Sequence, residues 1–125
     1  MSSDRPKIRV VFDCMVYLQG VARPESAAGA CLLLVELEKR AKVISDVPRA
    51  FAYERDPKDE PYINLAIAVG ASYLVSRDHD TLVLADPSLP NGERLRQQAP
   101  GLRILDTVAF LAEIRIRLQG GGAGV

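Results

Sequence analysis

The stretch Ile8-Arg9-Val10-Val11-Phe12-Asp13 is a short apolar run, rich in β-branched residues, that stops at a carboxylate. Tyr73-Leu74-Val75-Ser76-Arg77-Asp78 repeats the design, and Arg103-Ile104-Leu105 before Asp106 is a third such run. Continuous apolar runs of this length read as strands buried on both faces, the kind found in parallel sheets. Helix-like patterns lie between them. Strands alternating with helices predict an α/β fold with three α/β/α layers around a central parallel sheet. Right-handed crossovers bring the carboxyl ends of such strands to one rim, and that rim is where open α/β sheets bind ligands. Asp13 and Asp78 are therefore expected on the same edge, with Asp59 joining them if the loop before its helix returns there.

The remaining segments fall around these strands. Pro24 to Arg40 has helical spacing, with Leu33, Leu34 and Leu37 on one face. Ala41 to Ser45 is a weak additional strand. Pro48, Pro57 and Pro61 make 46–61 mostly loop. Residues 62–69 read as a helix ended by Gly70, and 79–85 as one or two helical turns. A long loop is expected at 86–101 around a short helical stretch, 93–99. A last helix runs from Asp106 or Thr107 to about Leu118. Residues 1–118 form one domain, and 119–125 a flexible glycine-rich tail.

The chain has 125 residues, 48% hydrophobic and 26% charged, enough for one core. The formal net charge is zero, so no global field draws it to nucleic acid, though a local basic patch suffices for binding. Trp is absent and aromatics are few, which argues against a broad base-stacking surface. Cys14 and Cys31 have no CxxC spacing, which leaves a thiolate metal or redox motif unsupported. No secretory signal is recognisable and no apolar run reaches the ~18 residues of a membrane span. The expectation is a cytoplasmic protein with reduced thiols and no membrane association.

Carboxylates gathered at a strand rim, with no histidine or cysteine cluster beside them, suit a hard cation such as Mg²⁺ or Mn²⁺. Such an ion lowers the pKa of a bound water and polarises a phosphoryl oxygen. Without one, crowded carboxylates repel and their pKa values rise. The chemistry indicated is metal-assisted work on phosphates.

Four stretches carry a family resemblance: Val10-Val11-Phe12-Asp13-Cys14, Arg55-Asp56-Pro57-Lys58-Asp59-Glu60-Pro61-Tyr62, Leu65-Ala66-Ile67-Ala68-Val69-Gly70-Ala71, and Tyr73-Leu74-Val75-Ser76-Arg77-Asp78-His79-Asp80. Together they resemble the PIN-domain family, in particular its bacterial toxin components of toxin–antitoxin pairs. The shared pattern is a first-strand Asp, a DPxD element before an Ala-rich helix, and a strand ending in Ser/Thr-x-Asp. The resemblance implies an endoribonuclease using Mg²⁺ or Mn²⁺, with RNA as substrate and an antitoxin protein as partner. Asp13, Asp59 and Asp78 match the metal-binding, catalytic acids. Glu60 and Asp80 are neighbours placed to hold water or a second ion.

Two features depart from the family pattern. Met15 stands where the family often has Asn. The stretch between Asp13 and Asp59 is short, so the chain resembles a PIN domain with its middle helices missing. Glu36 and Glu38 are the positional candidates for a further acid. A shortened middle is expected to leave the leucine face of 24–40 exposed, to be covered by a second copy in a homodimer or by a partner, or else by the loop 46–56 folding back. The same departures motivate the alternative of a catalytically impaired PIN remnant that binds protein. A phosphoacceptor role for Asp13 is a more distant alternative, weakened by the lack of a lysine in 103–105. Each aspartate also has a purely structural reading. Asp13 can start a turn, Asp59 can favour a helix dipole, and Asp78 can cap the short helix after it. His79 reads as a solvated loop residue, and Arg94, Arg96 and Arg103 as solubilising charges.

Overall fold

The computed structural model describes residues 8–31 and 47–123. Three strands, β1 (Val10–Phe12), β2 (Tyr73–Val75) and β3 (Arg103–Leu105), form a parallel sheet in the order β1-β2-β3. The register sets Val10, Tyr73 and Arg103 side by side at one end, and Phe12, Val75 and Leu105 at the other. All three strands therefore stop level with one another. The mixed α/β class and the parallel sheet agree with the sequence patterns.

Side chains alternate across a strand, so the register sorts the core into two clusters. Val11, Leu74 and Ile104 pack with Phe51, Tyr53, Ile63, Ala66, Leu84 and Leu95. Tyr73 and Val75, with Val10, Phe12 and Leu105, pack with Val16, Ala28, Cys31 and Phe110. Phe110 meets Phe12 and Tyr73 edge to face, at ring centroid separations of 5.9 and 5.3 Å. That geometry suits the ring quadrupoles. Each fully buried large apolar side chain contributes about 1.5–3 kcal/mol.

The helices follow from local signals. α1 (Cys14–Ala22) starts at Asp13, whose Oδ1 accepts the Val16 N–H at 2.9 Å. α2 (Glu60–Ala68) has Pro61 in its first turn, where a missing N–H costs nothing. It ends at Gly70, which adopts φ +62°. There the Gly70 N–H reaches the Ile67 carbonyl at 3.2 Å and the Ala71 N–H reaches Ala66 at 2.9 Å. This paired closure needs a left-handed residue, and glycine takes that conformation without a Cβ penalty. The turn delivers the chain directly into β2.

α3 (His79–Leu82) continues into a 3₁₀ turn, Val83–Ala85. α4 (Pro90–Gln98) fills more of the 86–101 stretch than its turn residues predict. It packs closely enough that a Cβ on Gly92 would stand 2.1 Å from the Asp86 carbonyl oxygen. α5 (Thr107–Ala123) runs past Leu118 through Gln119 and three glycines. Sequence reading places a flexible tail there. Glycine costs a helix about 1 kcal/mol relative to Ala but keeps its N–H, so it disfavours helix without forbidding it.

The pattern expected over 24–40 begins later than Pro24. Residues 24–26 are turn and bend, and helix starts at 27. The Ser26 hydroxyl accepts the Gly29 N–H at 3.1 Å, a cap that proline cannot provide. Glu36, Glu38, the leucines 33, 34 and 37, the strand expected at 41–45 and the middle of the chain between Cys31 and Val47 lie outside the described residues.

The proline-rich stretch 47–59 is irregular, as expected, yet it carries core. Phe51 and Tyr53 are fully buried and pack in the cluster of Ile63 and Leu74. Asn64 of α2 clamps it, accepting the Phe51 N–H at 2.7 Å and donating to the Phe51 carbonyl at 3.0 Å. Arg94 lies over the Phe51 ring, 4.1 Å from its centroid, and donates to the Ala52 carbonyl at 2.7 Å. An edge-like pairing by one amide side chain thus replaces a strand partner for this loop.

Removing that amide leaves a buried N–H and a buried carbonyl unpaired, at about 1–3 kcal/mol each. Asn64→Ala should therefore lower the unfolding free energy by about 2–6 kcal/mol in a urea titration. A loss within the ~0.5 kcal/mol typical of a neutral surface change would refute the clamp.

Candidate metal centre at the strand rim

Because β1, β2 and β3 end level, the residues that follow them share a rim. Three carboxylates meet near it. One oxygen from each of Asp56, Asp59 and Asp78 lies within 4.8 Å of the others. Asp56 and Asp59 are buried, and Asp78 is partly exposed.

Local turns place these groups. Asp56-Pro57-Lys58-Asp59 is a tight turn, closed by the Asp59 N–H on the Asp56 carbonyl at 3.1 Å. The Asp56 Oδ1 also accepts the Lys58 N–H at 3.2 Å. Asp at the first position and Pro at the second favour this turn, and it folds the two carboxylates toward one another. Asp78 caps α3, with its Oδ1 accepting the Asp80 N–H at 2.9 Å. Thr81, one turn along α3, donates its hydroxyl to Oδ2 of Asp59. A single short helix therefore anchors two of the three acids. Each carboxylate spends one oxygen on a protein donor and retains the other.

Burial pushes the Asp59 carboxyl up to about 6; the Thr81 hydroxyl opposes this, while Asp78 and Asp56 add like-charge repulsion. Crowding and low solvent exposure thus hold a proton on Asp59 well into the mildly acidic range.

Asp59 and Asp78, read as site residues from the sequence, are brought together. Asp13, also expected at the site, is not one of the three acids that meet. Its Oδ1 caps α1 and its Oδ2 accepts the Ser76 hydroxyl, and it is 2% exposed. Ser76 links it to the cluster, since its Oγ accepts the Asp78 N–H at 3.0 Å. Asp13 is therefore one hydroxyl away from the loop that carries Asp78, and it does structural work at the start of α1.

Arginines engage Glu60 at both carboxylate oxygens and Asp80 at one, Oδ1. Arg49 grips Glu60 through two nitrogens, and Glu60 also accepts the Tyr53 N–H at 2.9 Å. The Arg49 guanidinium and that N–H hold the Glu60 carboxyl below its usual range. Arg55 donates to Asp80 at 3.0 Å. These pairs tie the 47–59 loop to α2 and α3, and the Tyr53 hydroxyl adds a bond to the Asp80 carbonyl.

Sequence reading did not assign Asp56 to the site. The signal was present in the Asp-Pro-x-Asp spacing, which predicts a turn that pairs its first and fourth residues. His79 is exposed, consistent with a solvated residue.

The chain matches no family model, no curated protein and no solved structure in comparisons with each.

The sign of the Asp59 effect is testable. A carboxyl whose folded pKa exceeds its unfolded value binds more protons when folded, so stability from this group falls as pH rises from about 4 to 6. The penalty is then fully present at neutral pH. In metal-free buffer, the melting temperature of Asp59→Asn relative to wild type should rise across that window and level off above it. Asp13→Ala should instead lose about 1–2 kcal/mol at neutral pH through the lost helix cap. Equal and pH-independent effects of the two variants would overturn the distinction.

Proposed function

We propose that this chain is a PIN-like, metal-dependent endoribonuclease that hydrolyses RNA phosphodiesters. The observation that carries the reading is the convergence of Asp56, Asp59 and Asp78 within 4.8 Å. The family-like order of the first-strand Asp, the Asp-Pro-Lys-Asp turn and the Ser-Arg-Asp strand end adds to it. Helices that pack on both faces of the parallel sheet are what a three-layer PIN-like architecture requires.

The donor set fits a hard divalent cation. All three ligands are carboxylate oxygens, two of the residues are buried, and the Asp59 pKa is raised by burial first and by the like charges of Asp78 and Asp56 second, both of which a cation would offset. Asp56, Asp59 and Asp78 would hold Mg²⁺ or Mn²⁺. When bound, the ion supplies an acidified water and charge neutralisation at the phosphate. The residues themselves do the positioning. Thr81 orients Asp59, the Asp80 N–H orients Asp78, and the Lys58 N–H orients Asp56. Ser76 couples Asp13 to the Asp78 loop, so Asp13 acts at one remove.

The toxin role in a toxin–antitoxin pair, with an antitoxin or a second copy as partner, belongs to the same proposal. It draws support from α1, where Met15, Tyr17, Leu18 and Val21 are each more than half exposed. Apolar side chains gathered on one helix favour burial against another chain. A second reading, a catalytically impaired PIN remnant that binds protein, is favoured by one observation: both oxygens of Asp13 are committed to structural hydrogen bonds.

Thermal melts and cleavage assays separate the readings. Mn²⁺ should raise the melting temperature of wild type, by the mass-action stabilisation of a ligand that binds only the folded state. Asp59→Asn and Asp56→Asn should lose that rise and lose Mn²⁺-dependent cleavage of single-stranded RNA. A wild type with neither shift nor cleavage would replace the nuclease reading with the remnant.

A further inference from the structure

Several arginines among the described residues form defined contacts, and they differ in what they leave free. Arg49 meets Glu60 through Nε and Nη2, and Arg103 meets Glu113 through the same two nitrogens. Arg94 spends Nη2 on the Ala52 carbonyl and Asn91, and its guanidinium stacks on Phe51. Arg9 donates through Nη1 alone, to the Val69 carbonyl, and Arg55 pairs with a carboxylate through a single nitrogen. Only its Nε is engaged, on Asp80 Oδ1 at 3.0 Å, and no hydrogen bond from Nη1 or Nη2 forms among the described residues. Its side chain is 51% exposed.

The position of Arg55 matters as much as its free donors. It directly precedes Asp56, the first acid of the trio. Its anchor, Asp80, is the residue whose N–H holds the Asp78 carboxylate. The guanidinium therefore bridges the two loops that supply the trio, with one edge fixed and the other edge open to solvent. A guanidinium edge of two parallel N–H donors matches a phosphate, and fixing Nε in advance reduces the side-chain entropy lost on binding. An ion pair this exposed contributes about 0–1 kcal/mol to stability, so folding alone gives little reason to hold the side chain there.

We propose that Arg55 contacts the RNA backbone, seating a phosphate beside Asp56, Asp59 and Asp78 through its free Nη1 and Nη2. The proposal rests on the nuclease reading for its substrate, but not on metal binding for its test. The Asp80 carboxylate acts as the positioning partner: it holds the fork at the mouth of the site.

The experiment is binding of a short single-stranded RNA oligonucleotide to the full chain in EDTA, followed by fluorescence anisotropy over a range of salt concentrations. Arg55→Ala should weaken binding about tenfold and reduce the slope of log affinity against log salt by about 0.7, the loss of one phosphate contact on a single strand. Arg55→Lys should keep the slope and lose part of the affinity, because it keeps the charge and lacks the fork. Unchanged melting of Arg55→Ala confirms that the fold is intact. Wild-type affinity and slope in Arg55→Ala, or no RNA binding by wild type, would overturn the proposal. The Mn²⁺ melt judges the metal reading separately: a Mn²⁺ shift with no dependence on Arg55 sinks only this inference, and a dependence on Arg55 with no shift sinks only the nuclease.

Discussion

The rest of the molecule depends on the in-register ending of three parallel strands. Phe12, Val75 and Leu105 are neighbours across the sheet, so the chain leaves all three strands at one level. Parallel pairing forces this geometry to be built from long-range contacts, with helices providing each return. It also means that polar residues immediately after the strands are concentrated along one edge instead of being shared between two. Asp13, Ser76 and Asp106 all occupy that position, and each makes a hydrogen bond that turns the chain or starts a helix. The rim is polar because helix starts need acceptors there, before any question of ligand binding arises.

That double use explains the division among the aspartates. A carboxylate just after a strand is a good N-cap, since its oxygens reach the unpaired N–H groups of the first turn. Asp13 and Asp78 both cap helices. Asp13 is then closed off by Ser76, whereas Asp78 keeps an oxygen near Asp56 and Asp59. What separates the two is the neighbour each one meets. Asp78 faces the Asp-Pro-Lys-Asp turn, and that turn is held against the sheet by Phe51, Tyr53 and the Asn64 clamp. The position of the acidic trio is thus a consequence of core packing in a loop.

The strands and the α/β class were legible because buried parallel strands leave a local trace: short apolar runs that stop at polar residues. Val10–Phe12, Tyr73–Val75 and Arg103–Leu105 all lie inside the runs that the pattern picks out. Asp59 and Asp78 were legible as a pair because each stands at a helix start near the rim. Asp56 was not, because its closeness to Asp59 depends on turn geometry rather than on strand order. The burial of Phe51 and Tyr53 was hidden for a related reason. Prolines at 48 and 57 mark the segment as loop correctly, but nothing periodic marks which of its side chains face inward. The arginine partners of Glu60 and Asp80 were hidden because Arg55 is far in sequence from Asp80 and an irregular loop separates Arg49 from Glu60.

Burial makes the trio costly. Desolvation raises the Asp59 pKa, and two further carboxylates stand close by. Donors around the trio offset part of this: the Thr81 hydroxyl and the N–H groups of Lys58 and Asp80 each favour an ionised oxygen. Their number is small against three carboxylates, so repulsion remains. Arg55, adjacent in sequence to Asp56, is bound to Asp80 rather than to any member of the trio. A cation supplied by the chain itself is therefore directed away from the acids, which keeps their shared oxygens available. Like-charge repulsion within the trio is thus retained beside an arginine that is spent on Asp80 instead of quenching it.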